Sequence, residues 1–403
     1  MKKYIFMIFA VFGIGGTQIY VRNKLNFLKK QGWDVCVITT ESPGKDGVVV
    51  KELLPYQNAV FPELMNNPNL YTKKEREAII NRLCTVIGDI TPESVIESNF
   101  IQVTFWGELL AKRFGIRHFV FLIQEDYRIR IKNYLEFFKF KYDRGELAVN
   151  TKQALKILFD GYCSISKRQN AFLDAFCHNA VEDCVDIYTP SLPKADFVIG
   201  SAGRVNKPFV LPMIRQITEF AMQHPKDTFL IVFMGGSPEK KDYEDIYEEI
   251  SCTENLNVYI TGPIFPIPFS LMKYADAYVS SAGSARMSAE MGFTTIAMDG
   301  MDYLPIGIVG KTTNDTIHRP VGQKVVPLDD LLEQVLYGGK YTNQPYLNPQ
   351  IEEDIQKSLY AHFEFLKKAD ESLEYYDISK IKPALGLRLK EMGRKLKGRC
   401  YHK

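Results

Sequence analysis

No Cys-x-x-Cys pair occurs among the seven cysteines of this 403-residue chain, and their number is odd. Scattered as Cys36, Cys84, Cys163, Cys177, Cys184, Cys252 and Cys400, they form neither a disulfide framework nor a zinc pattern, and they suit a reducing cytosol. The six histidines contain no His-Glu-x-x-His or comparable pair, so no metal site is expected. No run of about 18 or more apolar residues is present, which argues against a transmembrane helix. The formal charge of +2 gives no reason to expect a nucleic-acid partner. Two glycine motifs also fail. From Gly13 the third glycine of a dinucleotide fingerprint would fall on Gln18, and from Gly310 the first glycine of a P-loop would fall on Pro305. ATP hydrolysis is excluded on that basis.

What is present is ordinary globular composition, 46% hydrophobic and 24% charged, in a chain long enough for two domains with real cores. The opening MKKYIFMIFAVFGIGG has the charge and apolar run of a signal peptide. It reads better as a buried parallel strand over Tyr4–Ala10, since no A-x-A-like site follows and a glycine turn leads straight into an amphipathic helix. That helix is expected over Gln18–Gln31, followed by a strand at Val35–Ile38. The alternation continues with a helix at Lys74–Ile90, a strand at Ser94–Glu97, a helix at Thr104–Phe114 and a strand at His118–Ile123. A last strand is expected over Asp160–Ser166 and a helix over Lys167–Phe176, with TPSLPK (Thr189–Lys194) as the linker.

A second repeat of similar size follows. Strands are expected at Asp196–Gly200, Thr228–Phe233, Val258–Thr261, Ala277–Ser280 and Thr294–Met298, with helices at Phe209–Met222, Lys240–Ile250 and Pro268–Tyr274 and another carrying Glu290. The centre of the reading is Ala275–Gly300: a short strand, the turn Ser281-Ala282-Gly283-Ser284, a helix and a second strand. A small-residue turn entering a helix leaves backbone N–H groups free for a phosphate. Glu290, two turns on, can accept hydroxyls, or can be a solvated helix carboxylate. Arg204 and Lys207 follow a strand end beside Gly200 and Gly203. They suit a diphosphate, or are an exposed loop pair. Gly15 and Gly16 permit close approach of backbone to a phosphate, or simply make a turn.

With these pieces assembled, Lys2 to Pro345 resembles the GT-B glycosyltransferases, most closely family 4. FGIGGTQIYVRNKLNFLKKQGWDVCVIT is similar to the family's first strand, Gly-Gly loop, helix and second strand. GSAGRVNKPF is similar to its Gly-Arg…Lys segment. VYITGPIFPIPFSLMKYADAYVSSAGSARMSAEMGFTTIAMD, which contains Gly262, is similar to its nucleotide-sugar segment. The resemblance implies an α/β chain of two tandem Rossmann-like doubly wound domains facing a cleft, with a C-terminal helical segment. The boundaries are an acceptor-side domain over 1–190, a donor-binding domain over 191–345, and helices with a basic tail over 346–403. It implies a hexosyl-type transferase taking a nucleotide-diphospho-sugar, with no cofactor, and retention at the anomeric carbon. Glu290 takes the place of the second Glu of the family's Glu-x7-Glu pair, which contacts the donor ribose. Gly15, Gly16, Gly262, Ser281, Gly283 and Ser284 fall on the donor side, and Arg204 and Lys207 on the diphosphate.

The departures are as informative. The first Glu of the pair is replaced by Ala282. Arg204 and Lys207 are three residues apart, closer than in the family. Asn99 and Gln124–Asp126 stand where a strand-end histidine is usual, and Ser281–Ser284 also resembles an inverting, lipid-linked N-acetylglucosaminyltransferase group. Glu125, at a strand end, is a candidate acceptor-side base or hydroxyl orienter, as is Asp126, or both form a surface turn. A helix is expected over Ile351–Glu374. Beyond it, Lys380–Lys403 holds nine Lys and Arg against the single acid Glu391. Its apolar stripe Leu385, Leu389, Met392 and Leu396 fits a peripheral membrane contact over 380–403, or a solvated tail. The expected function is sugar transfer to a glycan or lipid-linked acceptor in cell-surface polysaccharide synthesis, at the inner face of the membrane in the cytoplasm. A nucleotide-sugar epimerase and a non-catalytic nucleotide-sugar-binding protein are the alternatives.

Overall fold

The structure is a computed structural model, and it describes residues 2–12, 15–41, 50–124, 127–165, 170–175, 181–339, 341 and 351–383. The chain divides into two compact units. The first comprises Met1–Gly13, Tyr20–Phe176 and Glu353–Lys403; the second comprises Ile14–Ile19 and Cys177–Glu352.

The first unit follows the alternation of apolar runs and amphipathic stretches. Its elements are β1 (Lys3–Ile8), α1 (Gly16–Lys30, which begins in the segment grouped with the second unit), β2 (Asp34–Thr39), β3 (Gln57–Val60), α2 (Lys73–Ile87), β4 (Val95–Ser98), α3 (Ile101–Phe114), β5 (Arg117–Leu122), α4 (Lys132–Asp143), β6 (Leu147–Val149) and α5 (Lys152–Leu158). The strands form one sheet in the order β3-β2-β1-β4-β5-β6, parallel throughout. Tyr4, Ile5, Phe6, Met7 and Ile8 are all fully buried, as a strand covered on both faces requires. Local chemistry sets the helix ends. Thr72 and Glu75 form a capping box at the start of α2, and Gly115 in the left-handed region stops α3.

The second unit repeats the plan. It contains β7 (Val181–Glu182), β8 (Phe197–Ala202), α6 (Val210–Gln223), β9 (Phe229–Met234), α7 (Lys240–Ile250), β10 (Leu256–Ile260), β11 (Ile267–Pro268), α8 (Phe269–Met272), β12 (Ala277–Ser280), α9 (Ala282–Glu290), β13 (Thr295–Met298), β14 (Pro305–Ile308) and α10 (Leu328–Leu332). Its main sheet runs β10-β9-β8-β12-β13-β14. Only β14 is antiparallel in it, and β7 pairs with β11 apart from it. The core on one face joins Met213, Ile214 and Ile217 of α6 to Ile231, Val279 and Ile296 of the sheet.

Helix α11 (Ile351–Lys367) packs on the first unit. Phe363 meets Tyr4, Phe27 and Trp33, and His362 meets Tyr20, Phe119 and Phe121. Farther on, Tyr376 N and Glu108 Oε1 are 2.7 Å apart, and Asn69 Nδ2 donates to the Ile381 carbonyl at 2.8 Å.

Several expectations need correction. The last strand of the first sheet is β6, not Asp160–Ser166, where the described part is a turn around Gly161 at φ +66°. Three buried residues between two helices give too short an apolar signal to stand out. Residues 170–175 are not helical; Phe172 bridges to Val149 instead. Pro268–Tyr274 begins as strand, because Ile267 and Pro268 pair with Val181 and Glu182. The helix expected to reach Glu374 ends at Lys367. The apolar stripe Leu385–Leu396 lies outside the described residues. No described helix is long and apolar enough to cross a membrane.

Candidate functional site

In the second sheet the order turns at β8: β9 and β10 lie on one side, β12 and β13 on the other. Chain crossovers leave on opposite faces at such a point, so the strand ends open a crevice there. Ser280, at the end of β12, closes its floor. Its Oγ lies 3.2 Å from Ser201 Oγ and accepts from Ala202 N at 3.2 Å.

Beyond β8 the chain is held by backbone. Gly203 N donates to Met234 O at 3.1 Å, and Val205 N to Gly236 O at 3.3 Å. A Cβ on Gly235 would stand 1.9 Å from the Gly203 carbonyl oxygen, so only glycine fits. Gly235 N donates in turn to Thr261 Oγ1 at 3.0 Å, whose hydroxyl donates to the Gly262 carbonyl at 2.8 Å. Gly262 thus belongs to the lacing of the β8, β9 and β10 ends.

Gly203, at φ +112°, gathers the candidate ligand groups. A Cβ there would lie 3.2 Å from Ser284 Oγ and 3.5 Å from Lys207 Nζ. The Lys207 ammonium, half-buried, and the Ser284 hydroxyl therefore flank one stretch of bare backbone. Arg204 is exposed and makes no hydrogen bond or ion pair among the described residues. Helix α9 begins beside this group. Ser281 is its N-cap in extended conformation, yet the Ser281 side chain caps nothing. Ala282 N donates to Thr316 O at 2.6 Å, with Ala282 in the left-handed region at φ +53°. Gly283 and Ser284 complete the first turn. A first turn without a side-chain cap presents N–H donors and the positive end of the helix dipole.

Glu290 closes α9 with its side chain 19% exposed, and its Oε1 accepts from Arg286 Nε at 2.7 Å. That partner was missed in the sequence, although the i,i+4 spacing could have revealed it. Also missed were the contacts of Ser280, Thr261 and Thr316, ordinary polar residues until the fold brings Ser280 to Ser201, Thr261 to Gly235 and Thr316 to Ala282. Of the other expected donor-side residues, Gly16 is the first residue of α1 and Gly15 precedes it, its carbonyl accepting from Ile19 N at 3.2 Å. Glu125 and Asp126 lie outside the described residues. Among the described residues, no group of three or more His, Cys, Asp and Glu could hold a metal ion.

No protein-family model matches the chain, and no curated protein matches it. Solved structures do. Sucrose-phosphate synthase from Thermosynechococcus elongatus superposes with TM-score 0.57 at 15% identity, over 91% of this chain and 98% of that one. The lipopolysaccharide outer core galactosyltransferase WaaB gives TM-score 0.51 at 12% identity, over 91% of this chain and 99% of that one. A structure described as a UDP-N-acetylglucosamine 2-epimerase from Listeria monocytogenes gives TM-score 0.50 at 12% identity, over 93% and 100%. The two Rossmann-like units are those of the GT-B fold, the fold of these glycosyltransferases. The likeness at this identity reaches the fold and not family 4 within it.

Proposed function

We propose that the chain is a glycosyltransferase that takes a nucleotide-diphospho-sugar and passes its sugar to a glycan or lipid-linked acceptor. The observation that carries this reading is the convergence of Lys207 Nζ and Ser284 Oγ on Gly203, beside the first turn of α9. A diphosphate leaving group gains negative charge as the sugar–phosphate bond breaks. The Lys207 ammonium, the α9 N–H groups and, from the exposed loop, Arg204 would neutralise it. Gly203 keeps a side chain away between Ser284 Oγ and Lys207 Nζ, so that phosphate oxygens could reach its backbone, and Gly235 lets the Gly203 carbonyl pack against it. Glu290, held by Arg286, would take the ribose hydroxyls. Glu125 would serve on the acceptor side, and Gly15 and Gly16 would face the donor. No step in this scheme calls for a cofactor. The basic tail fits a role in cell-surface polysaccharide synthesis at an anionic membrane surface.

The epimerase reading rests on the same fold, since the structure described as an epimerase superposes over 93% of this chain with TM-score 0.50. One set of experiments separates the two. UDP and UDP-sugars are titrated calorimetrically into the wild type and Lys207→Ala. Loss of a charge-assisted hydrogen bond weakens binding by roughly tenfold or more. Equal affinity in both proteins overturns the site. Incubation with UDP-N-acetylglucosamine alone that inverts its C2 centre establishes the epimerase instead, and labelled sugar delivered to an added acceptor establishes the transferase.

A further inference from the structure

Asn99 directly follows β4 in the first unit and directly precedes Phe100, the N-cap of α3. It is 3% exposed. Its Nδ2 donates to Glu97 Oε1 at 2.9 Å and to the Phe121 carbonyl at 3.2 Å. Turning the amide over would press Oδ1 against a carboxylate and a carbonyl, so the orientation is determined. Glu97 is itself immobile: Lys24 Nζ and the Tyr4 hydroxyl each lie 2.5 Å from Oε2, and the Tyr20 hydroxyl 2.9 Å from Oε1. Asn99 Oδ1 is therefore pinned on the side of the amide away from these groups, where it has no partner among the described residues.

The place matters as much as the atom. The first sheet turns at β1, with β2 and β3 on one side and β4 and β5 on the other, so Asn99 stands at the ligand edge of its switch point. The 14-residue α3 starts there without a side-chain cap, and in its first turn Gln102 Oε1 is likewise buried without a partner among the described residues. Both unsatisfied atoms are acceptors. A carboxylate or phosphate would bring them only further lone pairs, whereas a hydroxyl brings the missing proton.

We propose that Asn99 Oδ1, with the start of α3 and Gln102, receives a hydroxyl of a neutral sugar, the acceptor in the transfer reaction proposed above, on which this inference rests. Asn99 is a specificity-determining residue in this scheme, and Glu97 and Lys24 position it.

The test uses the full chain and three probes, the methyl glycosides of glucose, galactose and N-acetylglucosamine. Binding is followed by saturation-transfer NMR and calorimetry, with UDP titrated in parallel. At least one glycoside should bind the wild type. Asn99→Ala should weaken it tenfold or more while UDP affinity stays within about twofold. Gln102→Ala leaves the Glu97 network whole and carries the same expectation if Asn99→Ala does not fold by circular dichroism. The proposal is overturned if no glycoside binds the wild type, if both variants bind as the wild type does, or if a crystal structure with glycoside shows only an ordered water on Oδ1. Failure of UDP to bind the wild type would instead remove the donor reading of the second unit.

Discussion

Lys24 Nζ lies 2.5 Å from Glu97 Oε2, and neither side chain is reached by solvent. Burial pulls the Lys24 amine below its usual range, against the pull of Glu97, and the Glu97 carboxyl is held low because Lys24, Tyr4 and Asn99 outweigh its burial. A charge pair so placed is costly to break from one side. Lys24→Met should destabilise the first unit by about 3 to 5 kcal/mol, since it strands the Glu97 charge. Lys24→Met with Glu97→Gln should recover part of that loss. Urea denaturation followed by tryptophan fluorescence reads both, because Trp33 and Trp106 belong to this unit. A single variant as stable as the double one would contradict the ionised pair.

Gly235 is the steric keystone of the second unit's strand ends, its absent Cβ overlapping the Gly203 carbonyl. Gly235→Ala should lower stability by about 2 kcal/mol or more through forced backbone movement. UDP affinity should fall with it, because Gly203 and the loop to Lys207 must shift. A variant with wild-type melting and wild-type UDP binding would mean the two loops do not touch as described.

Ala282 carries a left-handed backbone at φ +53°. A non-glycine residue there costs roughly 1 to 2 kcal/mol, and glycine's added unfolded-state entropy returns about half of the gain. Ala282→Gly should therefore raise stability by about 0.5 to 1 kcal/mol. A fall in melting temperature would show that the helix start does not need this conformation.

Acid should loosen the first unit at its α11 contact. Burial, aided by Lys24, lowers His362 to about 3, against the opposing charge of Glu97. The unfolded chain binds that proton near pH 6.5 and the folded one near 3. Stability from the neutral ring is thus complete above about 6.5 and lost progressively as pH falls towards 3, by up to about 1.4 kcal/mol per pH unit. His118, lowered by burial and by Lys141, adds a slope of the same sign. Burial would raise Glu108, but Lys141 and His118 bring it down to about 2, so its contribution disappears only as pH falls from about 4.5 towards 2. His362→Gln should flatten the melting profile between pH 6.5 and 5. An unchanged profile would rule out a buried neutral histidine at that contact.

Much of this architecture can be read along the chain. Lys240–Ile250 and Ala277–Ser280 occur at the expected bounds, the first because a long amphipathic stretch states its own period and the second because a small-residue turn follows its apolar run directly. Leu147–Val149 and Pro305–Ile308 could not be read so, being short strands buried by neighbours distant in sequence. The small-residue start of α9 was legible as a turn entering a helix. That Lys207, rather than Arg204, turns back to Gly203 was not, since two cations three residues apart look alike until the loop's path is known.

By itself the sequence determined the two α/β repeats and the glycines and cations at strand ends. Those properties are local: side-chain period, backbone freedom and charge at a turn. Only the tertiary structure decided which strand ends adjoin, which cation lies beside Gly203, and that Lys24, Glu97 and His362 meet in one dry network. Those depend on sheet order and on where α11 returns, and contacts across 73 and 338 residues leave no periodic trace in the chain.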